Sequence, residues 1–504
     1  MKILFHKKII TVGLLGLLFV SCSKDFEEIN TDPNNAPTAL PQQLLAPALV
    51  STMTYNMVRN RNFNNELMQV TVDQSDAEGR AFRYDYRPNL SDYLYNGLYS
   101  ELTNFKDIYK SANEPLGYNS SYRGISLICQ SWVYSILTDT YGDVPYSQSN
   151  MARDSAIFEP KFDRQQDIYL DIFQKLEQAN LLLDSNRSIA ASSDPVFNGN
   201  VARWRKFGNS LYLRLLLRVS GKAEASALAA AKIKDIVETN AAKYPIMANN
   251  DESAILRWTG IGPLTSPLSN GVREQDFRAP GISSFFIDHL VIWNDPRIDI
   301  AQGTNNINRW AIAPYQGSFV GISSGYLPGA EPIKKSYFYS NSSARSLQTE
   351  PMTGMMMNYA ELQFILCEAA VKGWLTGSAE DYYKSGVQNS IRLWMPAWSV
   401  PIDTYLVAGD IAWDPTGSQE EKMEQLHLQK YYALFLTDMQ QWFEYRRTGH
   451  PVLPQGPGLK NGGVMPARMV YPVYVQSTNP TNYQRAVAAQ GPDVISTRVW
   501  WQKP

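Results

Sequence analysis

The stretch Asp163-Arg164-Gln165-Gln166-Asp167-Ile168-Tyr169-Leu170-Asp171-Ile172-Phe173-Gln174-Lys175-Leu176-Glu177-Gln178-Ala179-Asn180-Leu181-Leu182-Leu183 decides the fold class. Within it Ile168, Ile172, Leu176, Ala179 and Leu183 recur at spacings of four, four, three and four, which is one apolar stripe of a helix. Asp163, three residues before Gln166, reads as the start of a capping box. Upstream, Ile125, Ile128, Trp132 and Ile136 repeat the pattern in a helix that stops at Tyr141-Gly142, with Pro145 just beyond. The same periodicity predicts helices over 42–59, 90–111, 203–219, 223–239, 358–374, 379–394 and 419–447. Paired helices with short connections predict a mostly α fold, a tetratricopeptide-like helical-repeat scaffold with degenerate repeats.

Between Ala241 and Met356 the pattern changes. One helix is expected around Ile282, Phe285, Phe286, His289, Leu290 and Trp293; otherwise Gly262-Pro263, Pro280-Gly281, Asp295-Pro296-Arg297 and Pro328-Gly329 mark loops. So long a loop-rich region inside a helical protein is expected to shape a functional surface. The sequence thus reads as a leader over 1–21, a polar tether over 22–39 and a single domain over 40–504. Its helical scaffold covers 40–240 and 357–504, and its ligand-facing loops cover 241–356.

The leader follows from Lys2, Lys7 and Lys8 before the apolar run Ile9–Val20, which at about 18 Å of helix is too short to span a bilayer. Its end, Phe19-Val20-Ser21-Cys22, resembles a bacterial lipobox, which implies acylation of Cys22 and an outer-membrane lipid anchor. Losing Lys2, Lys7 and Lys8 takes 46 Lys+Arg to 43 against 48 Asp+Glu, a formal charge of −5. Such a chain has nothing to track a phosphate backbone, so nucleic acid is not an expected partner. Cys129 and Cys367 lie in apolar helical patterns and read as buried free thiols.

Catalytic signatures are sparse. His289, His427 and His450 form no paired metal motif. Gly321-Ile322-Ser323-Ser324-Gly325 has the spacing of a hydrolase nucleophile elbow, but Pro328-Gly329 follows where a helix must begin. Asp73, Asp76 and Glu78 miss the calcium-loop spacing. No catalytic residue, metal site or cofactor is expected. Binding is the better expectation: aromatic rings stack on the C–H faces of sugars while amides, carboxylates and guanidinium groups bond the hydroxyls. By residue type and loop position, the candidates are Arg80, Tyr84 and Tyr86 in one segment. Trp258, Trp310, Tyr315, Tyr337 and Tyr339 are the others, with Tyr326 nearby.

Several motifs in order give the chain a relation. Cys22-Ser23-Lys24-Asp25-Phe26-Glu27-Glu28-Ile29-Asn30-Thr31-Asp32-Pro33-Asn34, Tyr141-Gly142-Asp143-Val144-Pro145-Tyr146 and Pro160-Lys161-Phe162-Asp163 are three. Trp204-Arg205-Lys206-Phe207-Gly208-Asn209-Ser210-Leu211 with Arg214 and Arg218, then Tyr359-Ala360-Glu361-Leu362-Gln363-Phe364 through Glu368, Ala369, Ala370 and Gly373, and Tyr471-Pro472 with Trp500-Trp501, complete the set. Together they resemble the SusD/RagB family of outer-membrane nutrient-binding lipoproteins. The resemblance implies a lipid-anchored protein on the cell exterior that passes a nutrient, an oligosaccharide in the preferred reading, to a SusC-like TonB-dependent transporter as its lid. A peptide cargo is the alternative, and a surface glycan or peptide hydrolase is the rival function. The motifs themselves read as scaffold: Gly142 ends a helix, Asp143 satisfies exposed backbone donors, and Glu361 and Glu368 anchor neighbouring helices.

Overall fold

Small polar residues explain why one helix can sit at the centre of this molecule. The computed structural model describes residues 39–115 and 117–503. The predicted leader, Cys22 and nearly all of the tether lie outside the described residues. Numbered from the N-terminus, the longer helices begin with α1 (Pro41–Arg59), α2 (Leu90–Ser111), α3 (Ser120–Tyr141), α4 (Gln165–Asp184), α5 (Val201–Val219) and α6 (Ala223–Lys234). They continue with α7 (Ser284–Ile292), α8 (Tyr359–Val371), α9 (Ala379–Trp394), α10 (Ile402–Ala408), α11 (Gln419–Ala433), α12 (Gln440–Thr448) and α13 (Pro480–Gln490). Every residue of α3 except Arg123 is buried. Ser126, Ser135 and Thr138 turn their hydroxyls onto nearby carbonyls, Ser126 by donating to the Phe105 oxygen at 2.5 Å. Gly124 lets α4 approach, since a Cβ there would lie 2.7 Å from Leu183 Cγ.

Helices adjacent in sequence pack as pairs, α2 on α3, α3 on α4, α4 on α5 and α8 on α9, as the repeat reading expects. The fold is mostly helical. Strands are short antiparallel pairs: Thr71–Val72 with Gly281–Ile282, Val144–Pro145 with Phe162–Asp163, Ala254–Leu256 with Gly354–Met357, and Ile312–Ala313 with Tyr337–Phe338. One pair, Ala254–Leu256 with Gly354–Met357, joins the two ends of the loop-rich region, and another ties its Gly281–Ile282 to Thr71–Val72. Pro41–Pro504 forms one compact unit. Cys129 and Cys367 are buried and unpaired, and burial raises both thiols above the usual range.

Three local expectations need correction. The capping role assigned to Asp163 belongs to Asp143, whose carboxylate accepts the Gln165 N–H at 2.9 Å at the start of α4. Asp163 instead accepts the amides of Tyr146 at 3.2 Å and Ser147 at 2.8 Å. The helix expected over 419–447 is two, because Leu436 and Asp438 adopt positive φ and the Asp438 carboxylate restarts the chain by accepting from Gln440 Nε2 at 2.8 Å. Helices α10 and α13 lie within the stretch read as scaffold but were not among the helices predicted; α10 follows Pro401 and α13 begins with Pro480.

The end of α3 is finished by the end of the chain. Trp501 Nε1 donates to Asp139 Oδ1 at 2.8 Å, and Arg446 Nη2 to the Asp139 carbonyl at 2.6 Å. Gln490 Oε1 accepts the Asp143 N–H at 2.7 Å.

Candidate functional site

A large cleft opens where the loop-rich region meets the end of α9. Helix α9 stops at Trp394 because Pro396 cannot continue it and restricts Met395 before it. The turn that follows, Met395-Pro396-Ala397-Trp398, faces Gln302, Arg309 and the segment 344–351 across a cavity of about 660 Å³. That size is typical of small-molecule sites. Its floor is rigid: the Arg309 guanidinium donates Nε to the Trp394 carbonyl at 2.8 Å and Nη1 to Glu350 Oε2 at 2.6 Å. The same guanidinium lies 5.0 Å from the centre of the Trp394 ring. Trp394 and Trp398 are 4% and 6% exposed, so only a small part of either indole reaches the cleft.

Arg345 stands at the rim and differs from Arg309. It donates Nη2 to Thr304 Oγ1 at 3.0 Å but has no ion-pair partner among the described residues. Burial, and then the charge of Arg309, lower its affinity for its proton, with Glu350 opposing. Ser346 and Thr349 add hydroxyls, and Glu350 is the sole carboxylate among the lining residues. The arrangement offers donors, acceptors and apolar ring surface together.

The residues expected from sequence scatter around this cleft instead of lining it. Trp310 lies beneath, fully buried, 6.0 Å centre to centre from Trp394 and under the Arg297 guanidinium at 4.5 Å. Trp258 is buried in the core, as are Tyr84 and Tyr86, and the Tyr86 hydroxyl donates to the Arg468 carbonyl at 2.7 Å. These four rings present no face to a ligand in this conformation, because apolar loops that pack on a helical core bury their largest rings first. Tyr315 is half-buried, as are Tyr337 and Tyr339, whose rings meet edge to face at 6.0 Å with Lys334 4.5 Å from the Tyr337 ring. Arg80 is half-exposed, paired with Asp73 at 2.7 Å. Around Ser323 no strand leads in and no helix leads out.

Beside Arg80 lies an acid with an unusual proton. Burial, and then the charge of Asp73, push Glu66 up to about 8, outweighing the Phe82 N–H, Arg80 and Arg61. The folded chain therefore keeps a proton that the unfolded chain releases near its ordinary value of 4.5. Stability from this group falls as pH rises between those values, by up to about 1.4 kcal/mol per unit. Urea unfolding at pH 5 to 8 is expected to show a flatter decline in Glu66→Gln than in the parent; parallel curves would refute the assignment.

Glu368, His427 and Glu444 converge in a buried group that resembles a cation site. Positive side chains already fill it: Arg447 Nη2 reaches Glu368 at 2.6 Å and Glu444 at 2.8 Å, and Lys430 reaches Glu444 at 2.6 Å. Burial alone would raise the Glu368 carboxyl, but Arg447 and His427 hold it well below the usual range. The cluster is an anchor between α8, α11 and α12.

With this geometry in view, comparison with known proteins is decisive on family. A SusD-like family described as starch-binding and associating with the outer membrane matches residues 33–472. The chain belongs to the SusD-like family. A SusD homologue from Bacteroides uniformis shares 24% identity and a TM-score of 0.75, covering 92% of this chain and 99% of its own. A chitin-binding protein shares 26% identity and a TM-score of 0.76, with coverage of 92% and 99%. A chitin-binding SusD homologue from Flavobacterium johnsoniae shares 21% identity and a TM-score of 0.75, with coverage of 92% and 98%. No curated protein matches the sequence. Among the described residues of this SusD-like chain, no helix is long and apolar enough to cross a membrane.

The lining residues Gln302, Arg309, Arg345, Glu350, Trp394 and Trp398 escaped sequence reasoning. One signal was present: two tryptophans flanking a proline at a helix end, Trp394-Met395-Pro396-Ala397-Trp398, place aromatic side chains at the rim of a turn.

Proposed function

We propose that this SusD-like protein binds an oligosaccharide in the cleft between α9 and segment 344–351 and delivers it to a SusC-like TonB-dependent transporter, acting as its lid. Acylated Cys22 holds it to the outer membrane, facing the cell exterior. The observation that carries the binding reading is the cleft itself: a fixed Arg309–Glu350 pair, an Arg345 without a carboxylate partner among the described residues and two tryptophan edges around one cavity. Starch and chitin are the glycan classes named for the family and for two relatives. Hydrolysis of a glycosidic bond ordinarily uses two carboxylates, whereas this cleft has one, so capture without cleavage is the function proposed.

Maltoheptaose and chitohexaose are the probes. Titration is expected to quench tryptophan fluorescence, and Arg345→Ala is expected to weaken the binding roughly tenfold, the loss of about one charge-assisted hydrogen bond. No quenching by either sugar, equal affinity in the variant, or release of shorter sugars would each overturn this reading. The lid role further requires a TonB-dependent barrel to co-purify from detergent-solubilised outer membranes.

A further inference from the structure

A second cavity, of about 510 Å³, lies along one face of α2, remote in sequence from the loop-rich region. Tyr95, Asn96, Tyr99, Ser100 and Thr103 project along one side of the helix, at helical spacing. Pro145, Ser149, Asn150, Pro160 and Tyr474 close the other side. We propose that this groove is a second saccharide site, selective for neutral oligosaccharides. The proposal rests on the reading that the cargo is a glycan, but not on where the first site lies.

Three observations converge. None of the lining residues carries a charge, in contrast to the Arg309–Glu350–Arg345 cleft. The Lys106 ammonium behind this wall is engaged by the Ser149 carbonyl at 2.7 Å and hydroxyl at 2.9 Å, so a uronate or sulfated sugar would find no cation among the lining side chains, whereas a neutral one leaves no charge unpaired. The aromatic walls are held in place through their own polar ends: Tyr99 donates its hydroxyl to the Pro145 carbonyl at 2.6 Å, and Tyr474 donates to Asn96 Oδ1. With those hydroxyls engaged, the carbon faces of the rings are what remain for contact, and Tyr474 is 41% exposed. Tyr95, 6% exposed, backs the half-buried Tyr99, their ring centres 4.7 Å apart. Finally, the polar complement suits a polyol. Ser100 Oγ donates to the Asn96 carbonyl at 3.0 Å and keeps its lone pairs, Thr103 Oγ1 accepts from Asn150 at 2.8 Å and keeps its proton, and Asn96 Nδ2 has no partner among the described residues. A proline-rich peptide, the rival for a tyrosine-lined groove, offers carbonyl acceptors and few donors, and leaves such hydroxyls half used. The far wall is also built in: Asn150 Nδ2 donates to the Tyr99 carbonyl at 2.7 Å and to Thr103 Oγ1 at 2.8 Å.

The groove holds no tryptophan among its lining residues, while the first cleft holds two. Fluorescence therefore reads the cleft, and calorimetric stoichiometry reads both. With maltoheptaose or chitohexaose in excess, the parent is expected to bind two sugars per chain. Tyr474→Ala, a change at an exposed side chain, and Thr103→Phe, which fills the groove without adding an indole, are each expected to leave one, with tryptophan quenching unchanged. If instead the parent binds one sugar and both groove variants abolish it, the groove stands and the first cleft falls. One sugar per chain that neither variant alters, or an oligoproline peptide that binds the parent and not Tyr474→Ala while sugars do not, would overturn the groove. No binding of either sugar would overturn both sites.

Discussion

Glu361→Ala is expected to lower the stability of the fold by about 3–5 kcal/mol, among the largest effects a single side chain here can produce. Arg214 on α5 and Glu361 on α8 meet at two points, Nε to Oε1 and Nη2 to Oε2, both at 2.6 Å, with side-chain exposures of 3% and 2%. Arg214 Nη2 also donates to the Met356 carbonyl at 2.9 Å. Removing the carboxylate strands a guanidinium where water cannot reach it, and Arg214 Nη1 already lacks a partner there. The pair itself contributes far less, because both ions lost their hydration on burial. Arg214→Met with Glu361→Leu is therefore expected to recover most of the loss. Urea midpoints at constant slope measure both. A single variant costing under about 1 kcal/mol, or a double variant no better than the single, would refute the account.

Trp310→Ala is the second large effect, about 3–5 kcal/mol. The indole is fully buried among Phe286 at 5.7 Å, Phe435 at 5.1 Å and Trp394 at 6.0 Å between ring centres. Truncation opens a cavity that rigid neighbours fill only in part. It also removes the support under Trp394, so sugar binding in the cleft is expected to weaken together with thermal stability. Arg345→Ala separates the two: it is expected to weaken binding while leaving the melting temperature within about one degree, since its side chain sits at the rim. A Trp310→Ala protein as stable as the parent would return the residue to the list of ligand contacts.

Helical periodicity is local, and that is why the scaffold was legible. The stripe from Ile168 to Leu183 and the spans of α2, α5 and α9 fell where the sequence reading put them, within a few residues. The break at Leu436–Asp438 was hidden because its cause is distant: Asn60 Nδ2 donates to the Asp438 carbonyl at 2.6 Å from the far end of the chain. Site residues were harder for a related reason. Trp310 and Tyr315 share a loop, a composition and a spacing, yet one is sealed under Arg297 and the other is half-buried at a hairpin. Which ring meets solvent depends on what packs over it, and in loops no repeating pattern encodes that. The cleft joins positions from 302 to 398, and the groove joins 95 to 474; neither pairing is visible before the chain is folded.

Asp139 has its indole donor 362 residues further along the chain. Long loops close slowly, and a contact of that span arrives late in any order of assembly. Until the segment around Trp501 docks, the buried Asp139 carboxylate lacks that donor. Removing the Trp501 indole would thus be felt at the middle of the molecule, where the central helix ends, before its edges.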